Sequence, residues 1–186
     1  MLLTHPRIRI NDRTEFESSA LHLASRKGVL SATSLLLRHP GIDINLMDAM
    51  GETPLHKACI GGHSEIVHLI CMHGGCMGAA SHGSLDVSAR STTTGLTPLH
   101  EACIRGHTLS VSNLFSYYPM LLIPQIQDRS GCTALHLAVK NGHLDTVCAV
   151  QRMSTADVDV RYIIFTLKRA DVYMQQSSVV ASRYGP

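Results

Sequence analysis

The sequence predicts an all-α solenoid: short paired helices stacked side by side, with short β-hairpin tips between the pairs. Three observations carry this. First, the phrase Gly51-Glu-Thr-Pro-Leu-His-Lys-Ala-Cys-Ile-Gly-Gly-His63 returns as Gly95–His107 and as Gly131–His143. A weaker copy runs from Ser18 to Gly28, with Val29 where the closing His would stand. Second, apolar residues inside the phrase fall at helical spacing. Third, Gly closes each short helical stretch. Recurrence of a supersecondary unit marks an array in which neighbours bury each other's apolar faces.

Each element follows from local chemistry. Thr53 is a helix cap whose hydroxyl accepts from a free first-turn amide, and Pro54 occupies the first helical position, where a missing N–H costs nothing. His56, at the third position, can reach back to the cap as Glu or Gln does in a capping box. Leu55, Ala58 and Cys59 share one face, and the small Ala and Cys let another helix approach closely. Gly62 ends the helix in a left-handed conformation. A second helix follows at 65–72, with Ile66, Leu69 and Ile70 on one face. Neither helix is long enough to be stable alone.

These residues resemble the ankyrin repeat. The pattern is Thr-Pro-Leu-His at 53–56 and 97–100 and Thr-Ala-Leu-His at 133–136, each followed by a small residue two after the His and then by Gly-His. Asp48-Ala-Met-Gly51 and Asp128-Arg-Ser-Gly131 supply the hairpin turns. The match covers residues 1–161. The resemblance implies a structural role for the motif pairs Thr53/His56, Thr97/His100 and Thr133/His136: each imidazole bonds its own Thr and nearby backbone, tying repeats together. His22 is the counterpart in the first copy, and His63, His107 and His143 are read the same way.

The expected organisation, in order, is a partial preceding repeat at 1–12 and repeat one at 13–47. Repeat two covers 48–85, with a Gly/Ser-rich insertion at 73–84. Repeat three covers 86–127, repeat four 128–161, and a non-repeat cap or tail 162–186. The partial repeat is inferred because 2–11 aligns with 36–45 at one repeat period of about 33 residues; the chain is expected to be a fragment that starts at the end of a second helix. Helices of repeat one are expected at 20–27 and 30–38. Repeats two and three are 44 residues apart from cap to cap, and repeats three and four 36 apart, with the extra residues near 119–124.

Composition excludes several classes. A net charge of +2 among 186 residues demands neither nucleic acid nor a membrane surface, and a chain with no Trp and 4% aromatic residues is a poor stacking platform for bases. Six Cys in a chain of this length are too dilute for a disulfide scaffold; Cys59 and Cys103 are read as buried thiols of a reducing compartment, cytoplasmic or nuclear. No signal peptide or membrane span is visible. No nucleophile elbow, phosphate-binding loop or His-Glu-x-x-His occurs, so no enzyme, metal or cofactor is expected. His68, Cys71, His73, Cys76 and His82 have spacing that zinc could use, but a helix end running into a flexible loop accounts for them.

The expected function is non-catalytic protein–protein interaction, as a scaffold or adaptor; the alternative is the regulatory array of a larger channel, transferase or ubiquitin-ligase adaptor. The resemblance places the partner surface on the concave side. In repeat one that surface is Arg26 and Lys27. In repeat two it is Ala49, Met50, Glu52, Lys57 and Ile60. Repeat three offers Leu96, Glu101, Ile104 and Arg105, and repeat four Arg129, Cys132, Lys140 and Asn141. Basic residues predominate with apolar ones between them, so the expected partner is an acidic protein segment with apolar anchors. Asn45, with Leu37 eight residues before it and Asp43-Ile44 immediately preceding, is similar to targets of the oxygen-sensing asparaginyl hydroxylase that modifies ankyrin hairpins; an Asn chosen for hairpin hydrogen bonding is the competing explanation.

Overall fold

A computed structural model describes residues 9–76, 84–118 and 125–153. Among them lie eight helices: α1 (Ala20–Lys27), α2 (Leu30–Leu37), α3 (Pro54–Gly61), α4 (Ser64–Cys76), α5 (Pro98–Ile104), α6 (Thr108–Tyr117), α7 (Ala134–Lys140) and α8 (Leu144–Met153). They form two rows. The first helices α1, α3, α5 and α7 pack on one another in sequence order, as do the second helices α2, α4, α6 and α8. Within each repeat the two helices also pack together.

The rows pack closely because the motif puts the same side chain at the same depth in every copy. Two residues after each cap stands a buried Leu: Leu21, Leu55, Leu99 and Leu135. Five after each cap stands a buried Ala, namely Ala24, Ala58, Ala102 and Ala138, where a larger residue would hold neighbouring helices apart. The second helices complete the core with Leu36, Ile66, Ile70, Val111, Leu114 and Val147.

The tips are turns rather than extended strands. Among the described residues, only isolated bridge pairs, Arg13 with Ser19 and Gln127 with Thr133, have β pairing. Asp48 closes its turn by accepting from the Met50 and Glu52 N–H groups at 2.9 and 3.0 Å. Asp128 does the same for Ser130 and Cys132, at 2.8 Å each. Adjacent tips are linked through backbone: Ala49 N–H donates to Phe16 C=O, Thr92 to Met50, and Arg129 to Thr94.

One expectation needs revision. Helix α4 runs to Cys76, so residues 73–76 of the expected insertion form a last helical turn. Leu85 and Val87, just after the expected end of the insertion at residue 84, are buried. The remainder of the insertion, at 77–83, lies outside the described residues. So do most of the partial repeat (1–8), the extra residues at 119–124, the end of repeat four and the tail from 154 onward.

Candidate functional site

The caps arrange the motif histidines in a row. In each described repeat the cap oxygen of Ser19, Thr53, Thr97 or Thr133 lies 2.6–2.9 Å from Nδ1 of the His three residues on. The cap's own N–H donates to that Nδ1 at 3.1–3.3 Å. A nitrogen that accepts an N–H carries no proton, so the neutral ring keeps its proton on Nε2. That Nε2–H donates into the next repeat: His22 to the Glu52 carbonyl at 3.0 Å and His56 to the Leu96 carbonyl at 3.1 Å. For His100 the Cys132 carbonyl is the corresponding neighbour, but Nε2 does not complete a hydrogen bond. Burial holds His22 and His100 below the usual imidazole value and drives His56 to about 4.

His136 departs from the expected uniformity of these rings. It keeps the cap half of the role, with Nδ1 2.6 Å from the Thr133 hydroxyl and 3.2 Å from the Thr133 nitrogen. It is only half-buried, however, whereas His22, His56 and His100 are 0–1% exposed. The cause is its place in the row: among the described residues α7 has a first helix, α5, on one side and none on the other. The tie to a following repeat expected of His136 falls outside the described residues.

The second set of histidines works in the opposite direction. His63 Nε2 donates to the Arg26 carbonyl at 3.1 Å and His143 Nε2 to the Ile104 carbonyl at 3.0 Å; the Ile60 carbonyl faces His107. These carbonyls are the unpaired C-terminal acceptors of the preceding first helix. Each ring also lies close over that helix's closing glycine. A Cβ on Gly28, Gly62 or Gly106 would stand 2.6 Å from the ring of His63, His107 or His143. These rings reach back across the joint to the preceding repeat. Glycine is thus required twice, for its positive φ and for the space.

Asn45 is half-buried, and its side-chain amide spans a joint: Nδ2 donates to the Ser84 carbonyl and Oδ1 accepts from Asp86 N–H, both at 2.9 Å. Asn11 makes the same pair of bonds to Gly41 and Asp43, at 2.7 and 3.0 Å. The matched 2–11 and 36–45 segments therefore place their Asn in equivalent geometry.

The proposed partner surface divides. Arg26, Lys27, Ala49, Met50, Arg105, Arg129, Lys140 and Asn141 are exposed, while Ile60, Leu96, Ile104 and Cys132 are half-buried. Glu52, Lys57 and Glu101 were expected on the open face, and the structure corrects this: they are 8%, 4% and 4% exposed. Lys57 Nζ lies 2.6 Å from Asp48 Oδ2 and also pairs with Glu52, and Glu101 pairs with Arg105. The cause is position. α3 and α5 are each flanked on both sides by another first helix, so a side chain on their shared face is covered from two directions. Burial alone would lower the Lys57 ammonium, but the bonds to Asp48 and Glu52 outweigh it and raise it. Burial likewise pushes Asp48 up, and Lys57 with the turn amides overrides it and holds Asp48 low. Glu101 is raised, burial outweighing Arg105.

The face then reads as two complementary rows. Four residues after each cap stand Leu23, Lys57, Glu101 and Leu137, apolar at the ends and charged in the middle. Seven after each cap stand Arg26, Ile60, Ile104 and Lys140, basic at the ends and apolar in the middle. Sequence reading overlooked Leu23, the exposed Phe16 and the left-handed Glu17 in the first tip. Aligning that tip with the others would have signalled Glu17, since Gly51, Gly95 and Gly131 hold its position with the same sign of φ.

The zinc-spaced residues do not converge. His68 meets the Tyr117 hydroxyl at 3.0 Å, and Cys71 is buried within α4 with its thiol pushed up to about 12 by burial. Cys76 and His82 have no described side chain. Among the described residues no group of three or more His, Cys, Asp or Glu is placed to hold a metal ion, and no helix is long and apolar enough to cross a membrane.

A stack of capped helix pairs with cross-joint imidazoles defines a repeat solenoid. The ankyrin-repeat profile, of three copies, matches residues 1–81 and 77–162, and the chain belongs to the ankyrin-repeat family. It is 46% identical over 52 residues to SMC5-SMC6 complex localization factor protein 1 of Mus musculus, covering 28% of this chain and 5% of that protein. It is 40% identical over 62 residues to alpha-latrotoxin-Lg1a of Latrodectus geometricus, covering 33% and 4%. It is also 40% identical over 55 residues to the probable E3 ubiquitin-protein ligase XBOS33 of Oryza sativa subsp. japonica, covering 30% and 10%. The shared stretch is thus a tenth or less of each of these relatives. Ankyrin repeats generally mediate protein–protein interaction and are generally non-catalytic.

Proposed function

We propose that this array is a scaffold or adaptor that binds a protein segment on its first-helix face. The observation supporting this reading is the charge distribution of that face. Of its carboxylates, Asp48, Glu52 and Glu101 are buried and spent on Lys57 and Arg105, whereas Arg26, Lys27, Arg129 and Lys140 stay exposed around the apolar Met50, Ile60, Leu96 and Ile104. Such a face favours an acidic segment with apolar anchors, steered by unpaired cations. Arg105 is a poor probe of this, because reversing its charge would set two carboxylates together. Reversal of Arg129 and Lys140 to Glu is the sharper test. Acidic peptides selected by display on the full chain should bind the variant more weakly and with less salt dependence; unchanged affinity and salt dependence would overturn the reading.

A second reading is favoured by the small share of each relative that matches: the array is the binding or regulatory segment of a larger channel, transferase or ubiquitin-ligase adaptor. The free thiols of Cys59, Cys71 and Cys103, all buried, suit a reducing cytoplasm or nucleus. Hydroxylation of Asn45 stays part of the proposal. Because its amide already bridges a joint, the modifying enzyme gains access only when that joint opens. Fragment mass spectra after incubation with the hydroxylase should show oxygen added at Asn45 and more of it at partially denaturing temperature; an unmodified Asn45 under both conditions removes the idea.

A further inference from the structure

We propose that the cleft at the first end of the face, walled by the tips of repeats one and two and by α1, is the partner's anchor site. It takes one apolar side chain of a protein segment whose neighbouring carboxylate pairs with Arg26. The proposal rests on the first-helix-face reading and adds to it the position and the side-chain chemistry.

The cleft is half open to solvent and has a volume of about 530 Å³, within the range of ligand-binding clefts, about 300–1,000 Å³. Three large apolar residues line it while lying open to solvent: Phe16 at 76%, Met50 at 54% and Leu23 at 47% exposed. Clustered exposure of this kind marks an interaction site more often than scattered apolar residues do. The tip that presents Phe16 is held in an unfavourable conformation. Glu17, with φ 55°, takes the left-handed position that the other three tips give to glycine, and strained backbone kept beside an exposed aromatic points toward function rather than stability.

Charge selects the occupant. Asp48 and Lys57 at the cleft pair with each other, so neither is open to a ligand. Arg26, on the same face of α1 as Leu23, forms no ion pair among the described residues and supplies the free cation. Glu15, next to Phe16 on the tip, supplies the free anion. A carboxylate is therefore accepted at the α1 wall and repelled at the tip wall. The fitting segment carries an apolar residue with an acid on one side only, not a continuous acidic run. Among the described residues the fourth repeat offers no second such anchor: Lys140 has Leu137 in the equivalent place, but Leu137 is buried.

The experiment is selection of short peptides by display on the full chain, followed by calorimetric affinities of synthetic copies for variants. Phe16 and Met50 are exposed, so F16A and M50A retain the fold, which circular dichroism verifies. Selected peptides should share an apolar residue flanked on one side by Asp or Glu. F16A and M50A should each weaken binding about tenfold, the usual effect of removing an anchor, and Arg26→Glu should erase the preference for the acid. If Ile104→Ala and Lys140→Glu weaken binding while F16A and M50A do not, the cleft is wrong and the face reading survives. If neither set matters, both fail. Recovery of no binding peptide also overturns the cleft.

Discussion

At the scale of single residues, protonation and charge pairing set the stability. His56 is fully buried and accepts an N–H at Nδ1, so an added proton has nowhere to go. Its folded pKa of about 4 lies below the unfolded value of 6.5. The folded state therefore disfavours the charged ring: stability is complete above pH 6.5 and declines as pH falls toward 4. Loss from His56 alone is on the order of 3 kcal/mol, and His22, His100 and His107 shift in the same direction. Glu101, raised by burial, takes up protons more readily when folded and offsets part of this. Urea titrations across this range should show the midpoint falling steadily with pH. Lys57 gives the second residue-scale prediction. Lys57→Met leaves Asp48 and Glu52 buried without their cation and should cost about 3–5 kcal/mol, read from the same titrations at neutral pH. Sequence alone assigned Lys57 to the surface, because its place at one face of a helix says nothing about whether helices on both sides will cover it. His136 shows the converse: the same motif residue, in a helix flanked on one described side, is left half-buried.

At the scale of the element, the tips and helix ends were legible where they use capping and turn chemistry. Thr53-Pro54 and Gly62 mark the two ends of α3, and Ser19 and Gly28 delimit α1 to within the residues expected. α4 was less legible: its Gly-Gly-Cys end carries no helix signal, yet the helix runs to Cys76. Two substitutions separate backbone strain from packing. Glu17→Gly should stabilise by about 0.5–1 kcal/mol, the left-handed penalty less the extra unfolded-state entropy. Gly62→Ala should destabilise by about 2–3 kcal/mol, since the strain of φ +70° adds to a collision with the His107 ring. Thermal melts of the two variants should move in opposite directions.

At the scale of the whole molecule, the joints decide how the array opens. The first two are closed at the helix start by His22 and His56, whereas His100 meets the Cys132 carbonyl of the fourth repeat in poorer geometry. In a solenoid, stability is close to a sum over repeats and joints. Amides of α7 and α8 should therefore exchange with deuterated water faster than those of α3 and α4, as mass spectrometry of peptic fragments would show; equal protection would mean that the poorer bond carries no weight. By itself the sequence determined the repeat, its caps, its turns and the helix pairing, because those depend on contacts a few residues apart. Only the tertiary structure decided which charges are covered, which His reaches which neighbour and where the apolar cleft opens. Each of these depends on residues 30 or more positions apart meeting across a joint, as His22 and Glu52 do.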